Sequence, residues 1–235
     1  MLPKAILFDL DDTIISFDSH TEICWQKVCM AFTEKYKLFS YEKIFTSIQE
    51  ARTWYWSDEE RHRIGRLNLE QIRRQIVVSA FEKLKCFDEK YGIELADEYS
   101  KLHNEMITLF PHALETLQEL SRSRIKLGLL TNGNSEIQKN KIKRFDLKPY
   151  FNFCLIEEEL GFGKPDQRIF KIALEKLNLS NSDVWMVGDN LVWDVLGAQR
   201  SGIFGIWNDY KNKGLPKDSA IIPNRIINSI SDLLI

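Results

Sequence analysis

The stretch AILFDLDDTI, residues 5–14, runs four apolar residues directly into three aspartates, Asp9, Asp11 and Asp12, within four positions. Carboxylates about 4 Å apart repel by roughly 4 kcal/mol per pair at the effective dielectric of a protein surface. Such crowding persists only where the side chains point apart or share a cation. For the fold, the apolar half decides. A short apolar run without polar alternation suits a strand covered on both faces, as in a parallel sheet flanked by helices.

Four further runs have the same character: IKLGLL at 125–130, FCLI at 153–156, VWMVG at 184–188 and IFGIW at 203–207. Helical patterns fall between them. PHALETLQELSR (111–122) places Leu114, Leu117 and Leu120 at threefold spacing, and DQRIFKIALEKLNL (166–179) puts Ile169, Phe170, Ala173, Leu174 and Leu177 on one face. LVWDVLGAQRSG (191–202) closes on Gly202, a helix stop. From about residue 109 onward strands and helices alternate, which implies a parallel α/β sheet.

Residues 17–107 read differently, as a series of helical patterns without a strand: SHTEICWQKVCMAFTEKY, YEKIFTSIQEARTWYW, NLEQIRRQIVVSAFEKL and IELADEYSKLHNEMITL. One isolated strand cannot make a domain, so residues 5–8 must join the later sheet and the helices form an insertion. The expected fold class is α/β. It is a Rossmann-like doubly wound parallel sheet of residues 1–16 and 109–235, with an all-helical domain inserted over 17–108.

Composition sets limits on partners and setting. The 235 residues are 44% hydrophobic and 28% charged, as in a soluble globular protein, and a formal charge of −2 gives no global pull toward nucleic acid or anionic membrane. No apolar window is long enough to span a bilayer. The N-terminal apolar run is too short, and too soon followed by acids, for a signal peptide. The four cysteines, Cys24, Cys29, Cys86 and Cys154, form no CxxC pair and no zinc spacing. A cytoplasmic setting with free thiols is expected.

In doubly wound sheets ligands bind at the carboxyl ends of the strands, so the polar residues that end the apolar runs are informative. They are Asp9 and Asp11 after the first run, Thr131 and Asn132 after the second, Lys164 in the loop beyond the third, and Asp189 with Asp194 after the fourth. Clustered carboxylates with few nitrogen or sulfur donors select a hard cation, most often Mg²⁺, which can also bind a phosphate oxygen. Lysine adds a point charge for phosphate, hydroxyl and backbone N–H groups donate to its oxygens, and a carboxylate can attack phosphorus.

These residues resemble the four motifs of the haloacid dehalogenase superfamily, met in order as DLDDT at 9–13, TNG at 131–133, GKPD at 163–166 and GDNLVWD at 188–194. The resemblance covers essentially the whole chain and makes the insertion a helical cap. It implies that Asp9 is the nucleophile and Asp11 the acid/base. Leu10, Thr131 and Asn132 would bind phosphate, and Lys164 would link phosphate to nucleophile. Asp9, Asp11 (through its carbonyl) and Asp189 would hold Mg²⁺, with Asp194 in support. Asp12 falls on a variable position and reads as a solvated turn or helix-cap acid.

The dehalogenases proper lack an acid at the position of Asp11, so the resemblance implies a Mg²⁺-dependent phosphatase working through an aspartyl phosphate. Its substrate would be a small phosphorylated metabolite such as a nucleotide or sugar phosphate. A phosphotransferase or phosphomutase on the same scaffold is the alternative, and a non-catalytic phosphoaspartate module a more remote one. Within the insertion, Trp54, Tyr55, Trp56, Arg61, His62, Arg63 and Arg66 either hold a sugar, base or second anion, or pack the helices behind a solvated basic face.

Overall fold

The computed structural model describes residues 3–234. From the N-terminus the elements are β1 (Ala5–Phe8), β2 (Ile15–Ser16), α1 (Thr21–Tyr36), α2 (Tyr41–Trp56), α3 (Glu59–Gly65), α4 (Leu69–Lys83) and α5 (Glu89–Met106). They continue as β3 (Thr108–Leu109), α6 (Ala113–Arg122), β4 (Lys126–Thr131), α7 (Ser135–Arg144), β5 (Phe153–Ile156), α8 (Glu157–Leu160) and α9 (Gln167–Leu177). The chain ends with β6 (Val184–Gly188), α10 (Gly197–Arg200), β7 (Phe204–Asn208) and β8 (Arg225–Ile227).

The chain divides into two compact units. Residues up to Ser16 join those from Thr108 onward in one, and Phe17–Ile107 make the other. The first unit is built on a six-stranded sheet of order β5-β4-β1-β6-β7-β8, parallel at every pairing. β1 lies at its centre, with Leu7 opposite Gly128 on one side and Met186 on the other. All four β1 residues are buried, which explains the unbroken apolar run. From β1 the chain winds outward through β4 and β5, then returns to lay β6, β7 and β8 on the other side. The reversal opens a crevice at the carboxyl end of β1. Leu7, Leu130, Phe170, Val184 and Met186 share one buried cluster that ties α9 to the sheet.

Local signals set the helix ends. Asp166 accepts from the Arg168 N–H at the start of α9, and Asn178 ends that helix in the left-handed region at φ 52°. The segment expected to be helical over 191–202 opens as a wide π-type turn over Leu191–Leu196, capped by Asn190 Oδ1, and only then becomes α10. Several elements carry too little sequence signal to have been expected. Among them are the short strand β8, the two-residue antiparallel ribbon of β2 and β3, the single turn of α8, and α7, whose sequence SEIQKNKIKR holds two isoleucines among polar residues.

The helical unit has its own core, with Trp25, Phe32, Ile44, Ile48, Phe81 and Tyr99 in one buried cluster. The four cysteines are free thiols. Among the described residues no helix is long and apolar enough to cross a membrane.

Candidate active site

β1 delivers Asp9 to the crevice with its N–H bonded to the Val187 carbonyl at 2.9 Å, so the residue is anchored between two parallel strands. The residue is 7% exposed. Oδ1 lies 2.5 Å from Lys164 Nζ, and Oδ2 accepts from the Thr13 hydroxyl at 3.3 Å. Lys164 is 1% exposed and also meets Asp194 Oδ1 at 2.6 Å. A fully buried ammonium is thus held between two carboxylates, one from β1 and one from the turn after β6.

Asn132 fixes the lysine from behind. Its Nδ2 donates to the Lys164 carbonyl and its Oδ1 accepts the Lys164 N–H, both at 2.8 Å. The Asn132 side chain is therefore committed to Lys164, and the phosphate contact expected of Asn132 falls to its backbone. Thr131, 1% exposed, accepts from Gln138 Nε2 at 2.5 Å. Leu10 is buried, and its carbonyl turns the chain after β1 by accepting from the Ile14 and Ile15 N–H groups.

Asp11 points elsewhere. Its carboxylate meets Lys141 Nζ at 2.7 and 2.9 Å and accepts from Gln138 Nε2 at 2.9 Å. Sequence reasoning missed both residues because they sit on α7, which lacks an apolar stripe; the Asn134 cap that starts α7 was the one available signal. Asp12 is 7% exposed with φ at +59°, a buried turn residue in the left-handed region. The solvated acid expected there is not what the fold provides.

Asp9, Asp189 and Asp194 each offer a carboxylate oxygen, all within 4.8 Å of one another. Burial pushes Asp9 up to about 7 against the pull of Lys164, with Asp194 adding to the rise. Burial, then Asp9 and Asp194, raise Asp189 well above the usual carboxylate range. One ammonium does not offset three crowded acids, and an all-oxygen donor set fits a hard divalent cation. Within that set, Asp194 already spends Oδ1 on Lys164 and Oδ2 on the Asn190 N–H at 3.0 Å. This leaves Asp9 and Asp189 as the principal donors. Trp207 Nε1 steadies the Asp189 turn by donating to its carbonyl at 2.7 Å.

Gly188 shows how closely this turn is packed. A Cβ there would overlap the Asp194 carboxylate at Cβ, Cγ and Oδ2. Gly188→Ala is expected to push Asp194 off Lys164 and lower kcat at least tenfold, with a lower melting midpoint. Steady-state kinetics and calorimetry on the purified variant check this; unchanged kinetics would show that Asp194 can yield without consequence.

The aromatic and basic group of the helical unit has work within that unit. Arg61 donates to the Trp54 and Tyr55 carbonyls at 2.7 and 3.2 Å and lies 4.1 Å from the Trp54 ring centroid. Arg63 is paired with Glu60 at 2.6 Å.

Acids gathered at the carboxyl ends of parallel strands thus enclose a buried lysine at this site. The profile of the haloacid dehalogenase-like hydrolases matches residues 3–202, and the chain belongs to that family. It is 31% identical over 232 residues to pyrimidine 5'-nucleotidase YjjG of Escherichia coli, covering 97% of this chain and 95% of that one. It is 29% identical over 242 residues to pyrimidine 5'-nucleotidase PynA of Streptococcus pneumoniae, covering 100% and 94%. The fold matches the magnesium-bound HAD-hydrolase YfnB of Bacillus subtilis with a TM-score of 0.74 at 22% identity, over 99% of this chain and 97% of that one.

Proposed function

We propose that the protein is a Mg²⁺-dependent phosphatase that hydrolyses a small phosphate monoester through an aspartyl phosphate on Asp9. The observation that carries this reading is the buried Asp9–Lys164–Asp194 array beside Asp189. It holds a nucleophilic carboxylate and a cation-binding carboxylate at one rim. The similarity to nucleotidases over nearly the full chain supports it.

In this reading Asp9 attacks phosphorus, the ester P–O bond breaks, and the departing alkoxide takes a proton from Asp11. Asp11 then removes a proton from water, which attacks the aspartyl phosphate and releases inorganic phosphate and free Asp9. Lys164 holds Asp9 toward phosphorus, while the Thr131 hydroxyl and backbone N–H groups of the strand-end loops bind the non-bridging oxygens. Lys141 and Gln138 hold the Asp11 carboxylate, so proton transfer at the leaving oxygen requires Asp11 to leave that pair. Asp9 and Asp189, supported by Asp194 and the Asp11 carbonyl, would hold the Mg²⁺, whose charge offsets that of the phosphate as an anionic nucleophile approaches.

Two results test the reading. Phosphate release from a panel of nucleotides, sugar phosphates and phosphorylated acids is expected with Mg²⁺ and is lost with chelator. Absence of release from every monoester, or transfer to a sugar hydroxyl without free phosphate, overturns it. The second result concerns pH. A carboxyl whose folded-state pKa is raised stabilises the fold fully below its unfolded value, and that contribution is lost as pH rises through the folded value. For Asp9 the loss sets in above the ordinary carboxylate value and is complete as pH passes about 7. The melting midpoint of chelated protein is therefore expected to fall between about pH 4 and 7 and to level off above that, and added Mg²⁺ should raise it more at pH 8 than at pH 5. A flat midpoint across that window would contradict the crowding of these acids.

A further inference from the structure

Asp11 carries its carboxylate into a cluster of donors on α7. Lys141 Nζ meets both of its oxygens, at 2.7 and 2.9 Å, and Gln138 Nε2 donates to Oδ2 at 2.9 Å. The two donors stand three residues apart on that helix, the spacing of one face. The same Gln138 nitrogen donates to the Thr131 hydroxyl at 2.5 Å and to the Asn132 carbonyl at 2.8 Å. The Asp11 carboxylate therefore rests beside the hydroxyl proposed to bind phosphate.

The partners in this ion pair differ in their access to water. The Lys141 side chain is 7% exposed and that of Asp11 25%, while Gln138 is buried. Asp11 is thus the member able to leave, and the ammonium and the amide stay behind. Its hold on Gln138 is also shared, because one amide nitrogen has two hydrogens for three acceptors. Proton transfer at the leaving oxygen takes Asp11 away from Lys141. A buried cation that loses its carboxylate is strongly destabilised unless another anion replaces it. The reaction supplies one at that moment, the phosphate group of the substrate beside Thr131.

We infer that Lys141 and Gln138, with the Thr131 hydroxyl, form an oxyanion seat that Asp11 fills with its own carboxylate and yields to the phosphate group of the substrate. Carboxylate and phosphate present oxygens to the same donors through charge-assisted bonds. The exchange keeps the buried ammonium paired, and it makes the departure of Asp11 for proton transfer conditional on phosphate arriving. This inference rests on the proposed phosphatase reading, through Asp11 as acid/base and Thr131 as a phosphate donor.

The test is calorimetric binding of inorganic phosphate to the Mg²⁺-loaded full chain. Asp11→Asn removes the charge of the resident carboxylate, and phosphate should then bind roughly tenfold more tightly than to wild type. Lys141→Met should weaken phosphate binding roughly tenfold, and Lys141→Arg less. Lower anion repulsion across the crevice would also favour phosphate in Asp11→Asn, and the double variant separates the two causes. With Lys141→Met in place, the gain from Asp11→Asn should shrink to about twofold or less, whereas general repulsion would leave it intact.

Kinetics on an aryl phosphate give an independent readout. Lys141→Met should raise KM about tenfold. A fall in kcat with KM and phosphate affinity unchanged makes Lys141 a positioning residue for Asp11 alone and overturns the seat. So does an Asp11→Asn gain of equal size with and without Lys141. Should Lys141→Met not fold, Gln138→Leu takes its place in the cycle, and an Asp11→Asn variant that binds phosphate no better than wild type overturns the seat without it. Affinities that follow the cycle, with no hydrolysis of any monoester, overturn the hydrolytic reading and leave a phosphate seat. Hydrolysis with affinities indifferent to Lys141 does the reverse.

Discussion

Asp9→Asn is expected to abolish turnover of every phosphate monoester while leaving the fold in place. The amide is nearly isosteric and can still accept a hydrogen bond from Lys164, so the 2.5 Å contact has a neutral substitute. It is a poor nucleophile, so the proposed aspartyl phosphate would not form. A drop in kcat on the order of 10⁴-fold or more is expected, as for loss of a nucleophile elsewhere. The melting midpoint should hold or rise in chelated protein, because one of three crowded acids has lost its charge. Single-turnover assays with an aryl phosphate, alongside circular dichroism, decide the matter. Activity above about a hundredth of wild type, measured on protein freshly purified to avoid deamidation, would place the nucleophile elsewhere.

Lys164→Met should cost both activity and stability. The ammonium sits between Asp9 and Asp194 with almost no access to water. Burial alone would lower its pKa, but the two carboxylates outweigh burial and hold it above the ordinary lysine value. Removing one member of a buried charge array typically costs about 3–5 kcal/mol, because the remaining charges stay desolvated and unpaired. Asp9, whose carboxyl burial already raises to about 7, can relieve the loss by taking up a proton, so the deficit should be smaller at pH 5 than at pH 8. Urea unfolding at the two pH values measures the difference; a deficit independent of pH would mean that the acids are solvated in the variant.

The parts of the molecule legible in the sequence share one physical property: their signal is local. β1, β5 and β6 are short apolar runs because both faces of the sheet are covered, and the observed bounds Ala5–Phe8, Phe153–Ile156 and Val184–Gly188 coincide with those runs. Asp9, Thr131 and Asp189 stand where such runs stop. Lys141 and Gln138 were invisible because they act through a helix whose sequence is almost wholly polar. Asp12 was misread because a positive φ buries an acid that its residue type alone would place in solvent.

The two-residue ribbon of β2 and β3 has a consequence for how such a chain can change. Ile15 faces Leu109 and Ser16 faces Thr108, so the segment leading into the insertion and the one leading out are bonded neighbours, and the Ser16 hydroxyl lies 3.1 Å from that of Thr108. Opposed Cα atoms in such a pair stand about 5 Å apart. The sheet-bearing unit therefore specifies only a narrow gap between two chain ends, and any module whose own termini meet that gap satisfies it. Residues 17–107 are in this sense an exchangeable cassette, free to diverge in length and content while the chemistry at the end of β1 keeps its place.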